Sequence, residues 1–150
     1  MLTCEELLRR ACEQLESDTP RLDAALLLTR VTGLNRTSFR AWPERTLTDE
    51  QNTSFETLLA RRVIGEPMAH ILGEQGFWTL TLSVNDSTLI PRPDTECLVE
   101  AILDLNLPGE ASILDLGTGT GAIALALASE KPDWRILAAD NSADAVELAK

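Results

Sequence analysis

A strand that runs into a glycine-rich turn constrains the fold of this chain more than any other feature. The apolar segment 112–116 leads directly into Gly117-Thr118-Gly119-Thr120-Gly121, and small and apolar residues follow over 122–130. A second apolar segment, 135–139, ends at Asp140. A strand, a tight turn, a helix and a second strand in this order predict the opening of a parallel α/β sheet.

The glycine turn also fits the general dinucleotide fingerprint G-x-G-x-x-A, with Ala122 in the last position. Glycines make such a turn tight and let a ligand approach the backbone where a Cβ would block it. Asp140 follows Gly117 by 23 residues, near the ~20-residue spacing at which a carboxylate accepts the ribose hydroxyls of an adenosine ligand. The alternative for Asp140 is a helix N-cap, since Asn141 and Ser142 come next.

Asp115 distinguishes between two classes of cofactor. It lies two residues before the first glycine, where the pyrophosphate of a nicotinamide cofactor would meet a like charge. S-adenosylmethionine has no phosphate, and a carboxylate favours its ammonium and sulfonium groups. We therefore predict an S-adenosylmethionine site; the alternative is that Asp115 only orders the loop. The predicted cofactor-binding residues are Asp115, Gly117, Thr118, Gly119, Thr120, Gly121 and Asp140.

Capping signals divide the first ~65 residues into short helices. The pairs Thr3/Glu6 and Thr48/Gln51 each predict a capping box at a helix start. Thr19-Pro20 predicts a further start, because proline at the first helical position loses no hydrogen bond.

The periodicity changes at Phe77, where apolar residues begin to alternate with Thr and Ser as far as Val84. This pattern predicts a half-buried strand in a hairpin. From Asp94 a helical pattern returns, and Ser142 is placed to cap a last helix over 143–150. The apolar side of the helix after Asp94 is predicted to carry Leu98, Val99, Ile102 and Leu103.

The composition is that of a globular chain, and the spacing of its His and Cys residues does not suggest a metal site. The 150 residues are 44% hydrophobic and carry a net charge of −11, of which residues 1–75 hold −3 and residues 76–150 hold −8. No basic patch is evident along the sequence, which disfavours free nucleic acid as a partner. The lone His70 and three scattered cysteines have no ligand spacing, which predicts reduced thiols and no structural metal.

No segment suggests a membrane or an export route. No apolar run approaches the ~20 residues of a membrane span. The N-terminus carries charges too early and too evenly for a secretory signal. We expect a cytoplasmic protein with no membrane partner.

Three motifs resemble the HemK family of glutamine methyltransferases. The first is the run Gly65-Glu66-Pro67-Met68-Ala69-His70-Ile71-Leu72-Gly73 with Phe77-Trp78 after it. The second is Leu89-Ile90-Pro91-Arg92-Pro93-Asp94-Thr95-Glu96, and the third is the glycine turn that starts at Asp115. The resemblance covers essentially all 150 residues, and the second motif is the most specific, since many methyltransferases share the third.

The resemblance implies three parts with separate roles. Residues 1–72 would form an α-helical domain that recognises a protein substrate, 73–92 a β-hairpin linker, and 93–150 the start of a Rossmann-like α/β S-adenosylmethionine-dependent methyltransferase domain. Residues 117–121 and Asp140 would contact S-adenosylmethionine. The implied substrate is a peptide chain release factor, methylated on the side-chain amide nitrogen of the glutamine in a Gly-Gly-Gln loop. We expect a monomer.

The family's active-site motif, Asn-Pro-Pro-Tyr, does not occur in these residues. An amide nitrogen is a poor nucleophile, and fixed acceptors for its hydrogens would align it with the methyl group. We therefore assign no catalytic residue in this chain and expect no useful turnover from it alone. Because two parallel strands do not complete a sheet, we expect a part of a longer protein.

Several other interpretations stay open at this point. A glutamine methyltransferase of a ribosomal protein would share the cofactor motifs, and a non-catalytic release-factor-binding module would use only the helical part. A DNA adenine methyltransferase is disfavoured by the acidic composition, and a nicotinamide-dependent oxidoreductase by Asp115. Arg92 is expected to contact substrate or cofactor, or to form an ion pair at the linker; Glu96 lies one helical turn further on.

Overall fold

The computed structural model describes residues 2–150 and divides the chain into two compact units, residues 1–72 and 73–150. The first unit contains five helices: α1 (Cys4–Gln14), α2 (Pro20–Thr32), α3 (Arg36–Ala41), α4 (Asp49–Val63) and α5 (Met68–Leu72). The second contains the strands β1 (Glu74–Phe77), β2 (Leu80–Ser83), β3 (Ser112–Leu116) and β4 (Arg135–Ala139), and the helices α6 (Glu96–Asp104), α7 (Ala122–Glu130) and α8 (Ala143–Leu148).

Both predicted capping boxes are present in the first unit. The Thr3 backbone N–H donates to Glu6 Oε2 at 2.8 Å, and the Glu6 N–H donates back to Thr3 Oγ1 at 3.3 Å. At the start of α4, Thr48 and Gln51 form the same reciprocal pair, at 3.1 and 3.2 Å. Each box satisfies two backbone groups that a helix start leaves without partners.

A single apolar cluster forms the core of the first unit. Its members come from all five helices and the short segments between them, and they include Leu7, Leu27, Leu28, Phe55 and Leu59. One charged pair lies at the edge of this core: Arg62 Nε donates to Asp23 Oδ2 at 2.8 Å, and Asp23 is 4% exposed. The pair joins α2 to the end of α4.

The sequence patterns missed two helices of the first unit. Helix α3 begins after Asn35, whose side chain accepts the Ser38 N–H at 2.9 Å. Helix α5 begins directly after Pro67 and buries Ala69 and Ile71. Each has a single turn or little more, so neither shows the repeated apolar spacing on which helix prediction depends.

The predicted strand after Phe77 is divided by a turn. Strands β1 and β2 pair antiparallel, with Phe77 opposite Leu80, so Trp78 and Thr79 form a two-residue hairpin loop. Trp78 has a φ of +57°, its N–H donates to Glu96 Oε1 at 2.8 Å, and its indole N–H donates to Glu130 Oε1 at 2.7 Å. The alternating pattern was therefore correct for a hairpin but wrong in extending one strand through Trp78.

The hairpin packs within the second unit. Phe77 and Leu82 share an apolar cluster with Val99 of α6 and with Ala126 and Leu127 of α7. The role of residues 73–92 as a linker stays a prediction.

Strands β3 and β4 pair in parallel, as the sequence predicted, with Ser112 opposite Arg135 and Leu116 opposite Ala139. Helix α7 connects them. Helix α6 follows a 3₁₀ turn at Pro93–Thr95 and buries Val99, whereas Leu98 is 49% exposed, so its predicted place on the buried side was wrong. Helix α8 ends at Leu148 rather than continuing through residue 150.

Among the described residues 2–150, none of the helices combines the length and the apolar character that a membrane crossing requires.

Candidate functional site

The glycine turn lies beside the carboxyl end of β4. The N–H groups of Gly117 and Thr118 both donate to the carbonyl oxygen of Ala139, at 2.8 and 3.0 Å. In parallel α/β sheets, ligands bind at this edge, beyond the carboxyl ends of the strands. The pairing of β3 with β4 thus brings the turn next to Asp140, which directly follows β4.

Asp140 connects two backbone segments. Its Oδ2 accepts the N–H of Gly119 at 2.9 Å, and its Oδ1 accepts the N–H of Ser142 at 2.9 Å. These bonds from Ser142 and Gly119 hold the pKa of the Asp140 carboxyl below its ordinary value. Asp140 is not the N-cap of α8, because the side chain of Ser142 accepts the N–H of Ala145 in that role.

Asp115 is also tied to the turn. The Thr118 hydroxyl donates to Asp115 Oδ2 at 2.6 Å, so this carboxylate does order the loop, as the alternative interpretation held. A carboxylate offers about four lone-pair sites, so one hydrogen bond leaves acceptor capacity at the edge of the turn. The two interpretations of Asp115 are therefore compatible.

The backbone of the turn requires glycine. Gly119 and Gly121 have φ values of +56° and +79°, in the left-handed region that other residues enter at a cost. A Cβ built on Gly121 would also lie 3.2 Å from Leu125 Cδ1 and 3.4 Å from the Ala149 Cβ. At Gly117, by contrast, a Cβ would meet nothing within 4 Å, which leaves open space for a ligand against the backbone.

The threonines of the turn differ in exposure. Thr118 is half-buried, whereas Thr120 is 5% exposed and offers little surface to a ligand. Gly121 is the N-cap residue of helix α7 and has no side chain with which to cap it. Its first N–H groups therefore remain free of a side-chain acceptor.

Thr88 is a neighbour of the turn that the sequence patterns did not single out. Its Cβ lies 4.0 Å from the position that a Cβ on Gly119 would occupy. Its Oγ1 is buried and has no hydrogen-bond partner within the described residues. A buried hydroxyl without a partner is uncommon, and no pattern around Thr88 indicates that residues 88 and 119 come together.

The remaining polar candidates are separate from the turn. Glu96 accepts the Trp78 N–H, and Arg92 is exposed with no ion pair among residues 2–150. His70 lies in the first unit. Cys4, Cys12 and Cys97 are free thiols, and burial raises the pKa of Cys4. Within residues 2–150, no group of His, Cys, Asp and Glu is arranged to hold a metal ion.

The geometry suits a ligand with hydroxyl and cationic groups. The turn has open space beside Gly117, and two carboxylates, Asp115 and Asp140, flank it. A phosphate at the same place would face both Asp115 and Asp140.

Comparison with known proteins finds a family match in each part of the chain. Residues 6–73 match the family described as PrmC N-terminal domain, and residues 93–150 match the family described as methyltransferase small domain. The chain thus contains a PrmC N-terminal domain followed by a methyltransferase small domain. This agrees with the resemblance to HemK-type methyltransferases and with a helical domain that precedes the start of a methyltransferase domain.

Among curated relatives, the chain is similar to proteins named release factor glutamine methyltransferase. It is 52% identical to that of Aliivibrio fischeri over 99% of this chain and 54% of the relative. It is 57% identical to that of Escherichia coli over 95% of this chain and 52% of the relative. For Vibrio cholerae the identity is 53%, over 99% of this chain and 53% of the relative. The chain thus spans about half the length of the curated relatives it matches.

Proposed function

We propose that the glycine turn binds S-adenosylmethionine. The observation that carries the proposal is the bond between Gly119 N–H and Asp140 Oδ2, which holds a carboxylate against the turn at the carboxyl edge of the sheet. The cofactor would supply an electrophilic methyl group on a sulfonium. The residues proposed to hold it are Asp115, Gly117, Thr118, Gly119, Thr120, Gly121 and Asp140, with Thr88 as an addition.

Asp140 has the acceptor capacity that a ribose needs. Each of its oxygens accepts one backbone N–H, and each carboxylate oxygen can accept two hydrogen bonds. One position on each oxygen is left for a ribose hydroxyl. The lowered pKa of Asp140 keeps the group ionised, as an acceptor must be.

Asp115 favours this cofactor over a dinucleotide. Its carboxylate lies next to the start of the turn and is ordered by Thr118, so its position does not depend on a ligand. A fixed negative charge stabilises a neighbouring sulfonium or ammonium and opposes a pyrophosphate.

We propose that the acceptor is the glutamine of a Gly-Gly-Gln loop in peptide chain release factors. The names of the relatives and the motif resemblance over 65–73 and 89–96 support this assignment. Because the chain spans about half of those relatives, the activity is proposed for the polypeptide at their full length. We further propose that residues 1–150, which lack Asn-Pro-Pro-Tyr, have no useful turnover by themselves.

Titration calorimetry tests the cofactor site. In the polypeptide at the length of its relatives, Asp140→Asn should weaken S-adenosylmethionine binding by about tenfold or more, because one ionised acceptor is lost. The matched control is Asp133→Asn, an exposed residue of the loop before β4 that undergoes the same charge change. Equal affinities for the Asp140 variant and the control would remove Asp140 from the site. Tighter binding of reduced nicotinamide cofactor than of S-adenosylmethionine would contradict the cofactor assignment.

A further inference from the structure

The first unit contains a groove of about 950 Å³ among α1, α2 and α3. Arg9, Arg21, Arg36 and Arg40 line it, with Leu8 and Phe39 among its apolar residues. We refer to this feature as the arginine groove. Its volume is at the upper end of the ~300–1,000 Å³ range of small-molecule pockets, which is enough for several side chains of a partner.

The four arginines are available to a partner. All four are exposed, and none forms an ion pair with another residue of the described range 2–150. Three other arginines of the same unit, Arg10, Arg61 and Arg62, are paired with carboxylates. Of the six arginines of this unit without an ion pair in the described range, four line the groove, and Arg30 and Arg45 do not.

The charge of the groove is opposite to that of the chain. Besides the four arginines, its lining includes two acids, Glu5 and Glu6. The carboxylate of Glu6 is engaged by the backbone N–H and hydroxyl of Thr3, at 2.8 and 3.1 Å. The lining is thus net positive on a chain of net charge −11.

The expectation that the chain has no basic patch was wrong. The four arginines come from three separate helices, and Arg9 and Arg21 lie in segments that also contain acidic residues. Packing of α1, α2 and α3 brings them to one surface. A search for runs of basic residues does not detect such a patch.

We propose that the arginine groove docks an acidic, amphipathic segment of a protein partner. Guanidinium groups form paired hydrogen bonds with carboxylates, and the half-buried Leu8, Pro20 and Pro43 of the lining offer apolar surface to apolar side chains of the same segment. A nucleic acid strand matches less well, because its continuous phosphates would face Glu5 and the negative charge of the whole chain. The groove contains no residue of the glycine turn, so this proposal is independent of the methyltransferase proposal and goes beyond it.

Fluorescence anisotropy with the 150-residue chain tests the docking surface. The probe is a short labelled peptide that has leucines at helical spacing (i, i+3, i+4, i+7) and glutamates at the positions between them. We expect saturable binding that weakens as salt is added. Arg21→Glu and Arg36→Glu should each lower the affinity by about fivefold or more. Both substitutions put an acid in the first turn of a helix, where it does not oppose the helix dipole, and circular dichroism should show unchanged helicity.

The matched control is Arg30→Glu, an exposed arginine of α2 that does not line the arginine groove. It should change the affinity by less than about twofold. An equal loss in the control would overturn the proposal, as would an absence of saturable binding. Equal binding of a peptide with lysines in place of the glutamates would show that the arginines do not contribute and that the groove binds only through its apolar residues. Tighter binding of a single-stranded oligoribonucleotide would assign the groove to nucleic acid instead.

Discussion

Asp140 holds the glycine turn through one carboxylate oxygen and the segment before α8 through the other. The residue is therefore part of the local structure as well as a proposed ligand of the ribose. Substitution by alanine would leave the Gly119 N–H without its acceptor, which changes the shape of the turn. Asparagine keeps the size of the side chain and is the better variant for a test of binding.

The lowered pKa of Asp140 predicts a pH dependence. A carboxyl whose pKa is lower in the folded state stabilises the fold fully above its unfolded pKa, and this contribution is lost as the pH falls through the folded pKa. The bonds from Ser142 and Gly119 are the cause. Carboxyl-carbon NMR should show Asp140 titrating below the usual range of aspartates. Titration of Asp140 within or above that range would contradict the hydrogen-bonded geometry.

If the buried hydroxyl of Thr88 contacts the cofactor, Thr88→Val should stabilise the protein without ligand and weaken cofactor binding. Valine has nearly the same shape and removes a polar group that has no partner. The free energy of unfolding without ligand should therefore rise by about 1 kcal/mol. Cofactor affinity should fall at the same time, because Thr88 lies next to Gly119, with its Cβ 4.0 Å from the position of a Cβ on that glycine. Urea unfolding and calorimetry measure the two quantities, and a variant with lower stability and unchanged affinity would show that Thr88 is a structural residue only.

At the scale of secondary-structure elements, the capping box of α4 predicts a stability effect. Thr48→Ala removes the hydroxyl that accepts the Gln51 N–H and should lower the free energy of unfolding by about 1 kcal/mol. Thr57→Ala, an exposed position in the interior of the same helix, should have no destabilising effect beyond about 0.5 kcal/mol. Urea unfolding of both variants is the measurement. Equal losses would mean that the box does not stabilise the start of α4.

The sequence predicted the elements whose signals are local. The capping boxes at Thr3 and Thr48 and the order of strand, glycine turn and helix depend on residues within one or two turns of each other. Hydrogen bonds over such short separations leave a recognisable pattern. These elements were confirmed by the structure.

The features that the sequence missed depend on distant residues. The turn at Trp78 is held by Glu96 and Glu130, which are 18 and 52 residues away. The arginine groove requires three packed helices. Periodicity also cannot tell which side of a helix a neighbour covers, which is why Leu98 was wrongly placed. Contacts of this kind arise from tertiary packing, for which a single sequence gives no local signal.

At the scale of the whole chain, the two units have separate cores and different surfaces. The first unit carries the arginine groove and a core of residues from its own helices. The second carries the glycine turn and most of the negative charge. Its sheet has a strongly exposed apolar face, with Leu114, Leu116 and Leu137 at 55%, 74% and 64% exposure. Such a face favours association or low solubility of residues 1–150 on their own.

Methyl transfer from labelled S-adenosylmethionine tests the central claim most directly. The enzyme is the polypeptide that contains this chain, at the length of its relatives, and the acceptors offered together are purified release factors and ribosomal proteins. We predict label in a release factor, lost when the glutamine of its Gly-Gly-Gln loop is replaced by alanine and strongly reduced by Asp140→Asn. Label in a ribosomal protein alone would contradict the proposed acceptor, and no label in any protein would contradict the proposed activity itself.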